Sequence, residues 1–135
     1  MKKHARVVTG LFTIILLLSI WVYHIMEARS LTGSLAAEAA VLQAAFAQPE
    51  DGPPGFDVTV ETVAARDIPL LGRIRGKITV YTRSKDVGRE HVYSALEHFY
   101  TYEAGDWRLT ESGGCSGPEC QIRATRAFQN DQNVR

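Results

Sequence analysis

From Val7 to Met26 the chain is apolar or uncharged at every position, with no Asp, Glu, Lys or Arg. Wound as a helix at ~1.5 Å per residue, that stretch is about 30 Å long, the thickness of a bilayer's hydrocarbon core. The pattern predicts a transmembrane helix over 7–26 behind a basic tail, 1–6. Further on, Ser30, Thr32, Gly33 and Ser34 interrupt the apolar residues and mark either a break or a surface turn in a continuing helix. Leu35, Ala39, Leu42 and Phe46 then recur at helical spacing, with Glu38 and Gln43 elsewhere, which predicts an amphipathic helix. The tract Pro49-Glu50-Asp51-Gly52-Pro53-Pro54-Gly55 ends it, because proline cannot continue a helix and glycine favours a turn.

From Phe56 the period changes to two. Phe56, Val58 and Val60 alternate with Asp57, Thr59 and Glu61, and Ile74, Ile78 and Val80 alternate with Arg73, Arg75, Lys77 and Thr79. Both runs predict strands with one wet face, and pairing them would set acid against base across the ladder. Asp67 to Gly72 forms an apolar loop between them, and the polar tract from Arg83 to Glu90 makes the next turn. Residues 91–103 fit a strand at least from Leu96, although Val92, Ala95, Leu96 and Phe99 also fit a helical stripe. Tyr100-Thr101-Tyr102-Glu103 leads into Ala104-Gly105-Asp106, and Trp107-Arg108-Leu109-Thr110 returns as the second arm of a hairpin. A last strand is expected at Gln121 to Ala127, and a polar tail over 129–135.

The expected architecture is α+β: a transmembrane helix, then an extracytoplasmic domain over 27–128 in which one amphipathic helix packs on an antiparallel meander of about five strands. With its Tyr100–Leu109 hairpin, such a helix on a curved sheet resembles NTF2-like and cystatin-like domains. The NTF2-like resemblance implies a binding module for a small apolar ligand, with a pocket behind Trp107. In plan alone, a single span followed by a compact outer domain resembles the small anchored assembly factors of respiratory oxidases.

Charge sets the orientation. Lys2, Lys3 and Arg6 precede the span, whereas Glu27 and Arg29 cancel just behind it, so the positive-inside tendency places the N-terminus in the cytoplasm. The C-terminal domain is then extracytoplasmic, and Trp21 and Tyr23 fall at the outer headgroup level as membrane anchors. A cleaved signal peptide also begins basic, but its apolar stretch is usually about 7–15 residues, and small-residue cleavage patterns occur only at Ser34 to Ala40. Beyond Met26 the fifteen acidic residues face twelve of the fifteen basic ones, a net charge of −3. That mixed surface has no basic stripe, which argues against nucleic acid.

Both cysteines lie in Cys115-Ser116-Gly117-Pro118-Glu119-Cys120. In an oxidising compartment this spacing reads as a disulfide clamping a turn. Zinc would need two further ligands, and the redox-active pattern has two intervening residues where this has four. His91 and His98 share a face only if their segment is helical, so they make a poor metal or acid–base pair. Gly114-Cys115-Ser116-Gly117 lacks the second glycine of a nucleophile elbow because Pro118 occupies that place, and no P-loop or His-Glu-x-x-His occurs.

No enzyme, cofactor or metal site is therefore expected. The aromatic strand carries the candidate function: Leu96, Tyr100 and Tyr102 point one way and Phe99 the other, so a sheet with one helix leaves a face wanting cover. Strand curvature or the Ile68–Leu71 loop would supply that cover, or a second subunit would, since Tyr and Trp are favoured interface anchors. Tyr93, Tyr100, Tyr102 and Trp107 are the expected partner-binding residues. The expected partners are the lipid bilayer and a larger membrane protein complex, on which the protein acts as an accessory.

Overall fold

The computed structural model of the chain describes residues 2–47, 56–84, 92–115 and 117–134. The Pro/Gly tract 49–55, the polar turn 85–90, His91 and Ser116 lie outside the described residues. Six elements follow in order: α1 (Lys2–Ala47), β1 (Asp57–Ile68), β2 (Leu71–Arg83), β3 (Tyr93–Glu103), β4 (Asp106–Cys115) and α2 (Pro118–Val134). The four strands form one antiparallel sheet in the order β1-β2-β3-β4.

The span and the first domain helix are one element. α1 runs without a break through the Ser30–Ser34 stretch, and it is long and apolar enough to cross a membrane. The polar residues that interrupt the apolar pattern tie the helix to the sheet. Thr32 Oγ1 accepts the Ala64 backbone N–H at 3.1 Å, and Ser34 Oγ accepts the Trp107 indole N–H at 2.9 Å. Gln43 Nε2 donates to the Val58 carbonyl at 3.3 Å. Val58 and Ala64 have the same parity on the edge strand β1, so α1 meets backbone groups that an edge strand leaves without a ladder partner.

Leu35 and Ala39 of α1 are buried against Ala64, Ile78, Val80 and Tyr100, flanked by Leu31, Leu42, Phe46, Val58, Val60 and Trp107. This inner core lies on one face of the sheet. A second core on the other face joins Tyr81 and Ala95 to Ala124 and Phe128 of α2, with Tyr93, Cys115 and Ala127 around them. The alternation of β2 therefore breaks down at its end, where Thr79, Val80, Tyr81 and Thr82 are all buried.

Three expectations are corrected. Among the described residues the sheet has four strands, because Gln121–Ala127 belongs to α2. Cys120, Ala124 and Phe128, spaced by four, are its buried stripe, and Pro118 and Glu119 suit a first helical turn. Residues 129–134, expected as a tail, continue the same helix. The register also bears out the acid-against-base pairing only in part: Asp57 stands opposite Arg83, but Glu61 stands opposite Thr79 and Lys77 opposite Val63. Several of these charges are engaged by side chains. Asp57 pairs with Arg83 at 2.6 Å, Arg75 with Asp67 at 3.2 Å and Lys77 with Glu97 at 3.3 Å, while the Tyr81 hydroxyl donates to Glu61 at 3.1 Å.

Candidate interaction surface

Among the described residues no group of three or more His, Cys, Asp or Glu side chains converges as a metal site. His98 sits in the β3 ladder opposite Ile78 and Ser112, and neither ring nitrogen has a hydrogen-bond partner. His91 is outside the described residues. The Sγ atoms of Cys115 and Cys120 stand at bonding distance, with Cα atoms 5.9 Å apart, and close the turn between β4 and α2.

The four aromatic residues expected to face a partner are tied into the two cores. Tyr100 is only 7% exposed, and burial, with the Glu38 carboxylate nearby, pushes its phenol pKa up. Tyr102 packs on Trp107 with ring centroids 5.0 Å apart, and the indole is held by Ser34. Tyr93 meets Phe128 of α2 at 6.0 Å, and the Arg83 guanidinium lies 4.9 Å from the centre of the same Phe128 ring. Tyr100 is thus core rather than an outward anchor, because Leu35 and Ala39 of α1 cover its face of the sheet. α2, at the place where a last strand is expected, covers part of the other face through Ala124 and Phe128.

The space behind Trp107 is also occupied. A Cβ placed on Gly76 would come within 2.7 Å of Leu35 Cδ2 and 2.9 Å of Trp107 Cζ3, so helix, strand and indole meet there without a hollow.

What stays open is the half of the outer face that α2 leaves uncovered. α2 crosses the far end of the sheet: Arg123 reaches Glu97 of β3, and Asp131 and Gln132 stand with Asp57 and Arg83 around a cleft between α2 and the β1–β2 pair. Glu97 lies at the boundary. Burial alone would raise its pKa, but Lys77 and Arg123 outweigh that and hold the carboxyl below its ordinary value. On the uncovered side Phe99 is 37% and Val63 55% exposed, and a recess beside Phe99 is lined by Arg73, Arg75, Thr101 and Glu111. Parity puts Phe99 on the side away from Tyr100, and the β2–β3 register sets Lys77 opposite Phe99, which brings the basic stripe to that same side. Nothing in the pattern announced that a helix would cover the other end of that side.

Trp21 and Tyr23, the expected membrane anchors, are 61% and 53% exposed on α1. Just above them Glu27 forms a bidentate contact with Arg66 of β1, the shortest bond being 2.7 Å. The Arg66 hydrogen bond lowers the Glu27 pKa against the opposing effect of burial. Comparison with family models, with curated proteins and with solved structures finds no match for this chain, so the reading of this surface rests on its own geometry.

Proposed function

We propose that this is a single-pass, membrane-anchored accessory protein, with its N-terminus in the cytoplasm and an extracytoplasmic domain that docks on or braces a larger membrane protein complex. One observation carries the reading: the domain is built directly onto its anchor. α1 leaves the apolar span and enters the core as one helix, with Leu35 and Ala39 buried and Glu27, Thr32, Ser34 and Gln43 bonded to the rest of the domain. A body fixed in height and direction above a membrane suits bracing a neighbour. The occupied space behind Trp107 favours docking over an NTF2-like ligand module.

The uncovered outer face, with Phe99 and Val63 beside Arg75 and Lys77, is the docking surface in this reading. Apolar and arginine side chains of this kind act as anchors, and truncating one typically costs about 2 kcal/mol, roughly thirtyfold in affinity. The test is Phe99→Ala with Arg75→Ala, checked by thermal melting for an intact fold and then by co-purification of the native complex in mild detergent. Association should fall by about that factor, whereas Ile122→Ala, on the exposed side of α2, should leave it unchanged. Undiminished association in the folded double variant would remove the outer face from consideration.

A further inference from the structure

The β1–β2 hairpin ends in an apolar turn. Ile68, Leu70 and Leu71 are 56%, 49% and 68% exposed, with Pro69 among them. Leu70 has φ of 64° and Gly72 of 86°, so the turn has a defined conformation, and Arg66 Nη1 donates to the Gly72 carbonyl at 3.1 Å across its base. Three solvated leucine-type side chains at a hairpin tip are costly for a domain of this size, and an exposed cluster of that kind marks a contact.

The height of the tip is fixed by the anchor. Thr32 bonds to Ala64 and Glu27 to Arg66, so β1 descends along α1 towards the span. The two scales agree: five helical residues rise about 7.5 Å, and two strand residues about 6.6 Å. Continued for two more strand residues, Ile68 stands level with about Tyr23, and the Pro69–Leu70 turn lies lower still, at about the height of Trp21. The neighbouring hairpin is shorter. Thr101 pairs with Arg75, so its turn at Ala104 and Gly105 stops nearer the domain, and it carries the acidic Glu103 and Asp106. Arg73, which follows the apolar turn, has no ion-pair partner among the described residues, whereas Arg66 and Arg75 are engaged by Glu27 and Asp67.

We infer that the Ile68–Leu71 turn is a second membrane contact, inserted into the headgroup region of the leaflet on the domain's side, with Arg73 against lipid phosphates. This inference rests on the reading of residues 7–26 as the span. Burial of Ile68, Leu70 and Leu71 in the interface follows from their chemistry, and the Glu103–Asp106 turn limits the depth because its carboxylates stay in water. The domain thus stands on two feet.

The test uses the full chain in vesicles of phosphatidylcholine and phosphatidylglycerol, with a nitroxide at Leu71→Cys or, independently, at Ile68→Cys. Leu18→Cys serves as the bilayer reference and Ile122→Cys as the water reference, the native cysteines being paired. The turn labels should collide with oxygen readily and with a water-soluble nickel complex severalfold less than the Ile122 label does. If Leu18 is shielded while both turn labels match Ile122, the inference fails and the anchor stands. If Leu18 itself matches Ile122, the span reading fails and takes the inference with it. Turn labels shielded in native membranes but open to nickel in pure lipid would assign the turn to a protein neighbour and overturn the lipid contact.

Discussion

Gly76 shows how little slack the inner core has. It lies on β2 opposite Ala64 and Tyr100, under Leu35 of the anchor helix and beside the Trp107 ring. A Gly76→Val variant would have to displace both neighbours, and overpacking of this kind costs about 1–3 kcal/mol. Denaturant unfolding of the solubilised protein should show that loss, and an unchanged midpoint would mean that the indole moves aside freely. Glu27 gives a second test at this scale. Its pKa is lowered when folded, so the Arg66 contact stabilises the fold fully above the ordinary glutamate value of 4.5, and that contribution disappears as the pH falls through the lowered one. Glu27→Gln should remove this component from the acid-unfolding profile while leaving the neutral-pH fold in place. An acid limb identical to that of the native chain would mean that the ion pair contributes nothing. Residue roles were the least legible part of the sequence. The spacing of Tyr100, Tyr102 and Phe99 correctly gave their sides of the strand, but the side on which each ring is buried depends on residues far away in the chain.

Elements with long periods were easier to read than short ones. The apolar run and the Leu35–Phe46 stripe pointed to helix, and alternation pointed to β1, β2 and the β3–β4 hairpin, whose Ala104 and Gly105 adopt the positive φ that a tight two-residue turn requires. α2 was missed because seven residues with Ile122 and Ala124 as the apolar pair also fit a period of two. Following the pattern on to Phe128 exposes the spacing of four. The Cys115–Cys120 bridge is what holds this helix to the end of β4. Closing so short a loop contributes about 2 kcal/mol by chain entropy. Cys115→Ser with Cys120→Ser should therefore loosen α2 before the rest of the sheet, and trypsin should cut sooner after Arg123 and Arg126. Equal cleavage rates in bridged and unbridged protein would mean that Ala124 and Phe128 dock the helix unaided.

At the scale of the whole molecule, topology is the first matter to test. A reporter active only outside the cytoplasm, fused after Arg135, should be active in cells, and the chain should stay full length in the membrane fraction. Activity of a cytoplasmic reporter at that position, or a mature product beginning near Ala40, would reverse the orientation or remove the anchor. Charge asymmetry around the span is the source of this expectation. The mixed charge of the outer part was silent about where a docking surface lies, because that depends on what α2 covers.

With residues 7–26 read as the span, the unbroken course of α1 makes it a compass as well as a tether. A helix turns about 100° per residue, so the lateral bearing of Phe99 and Arg75 over the bilayer is fixed by the rotational setting of the span itself. Alanines inserted between Leu17 and Leu18, below every contact with the sheet, would swing the domain around the membrane normal without altering its fold. One or two insertions would aim the outer face away from a neighbour that also grips the span. Four would bring it about 40° past a complete revolution and restore most of its original heading. A partner that reads direction would lose and regain the protein with helical periodicity, whereas one that needs only proximity would respond to none of the insertions.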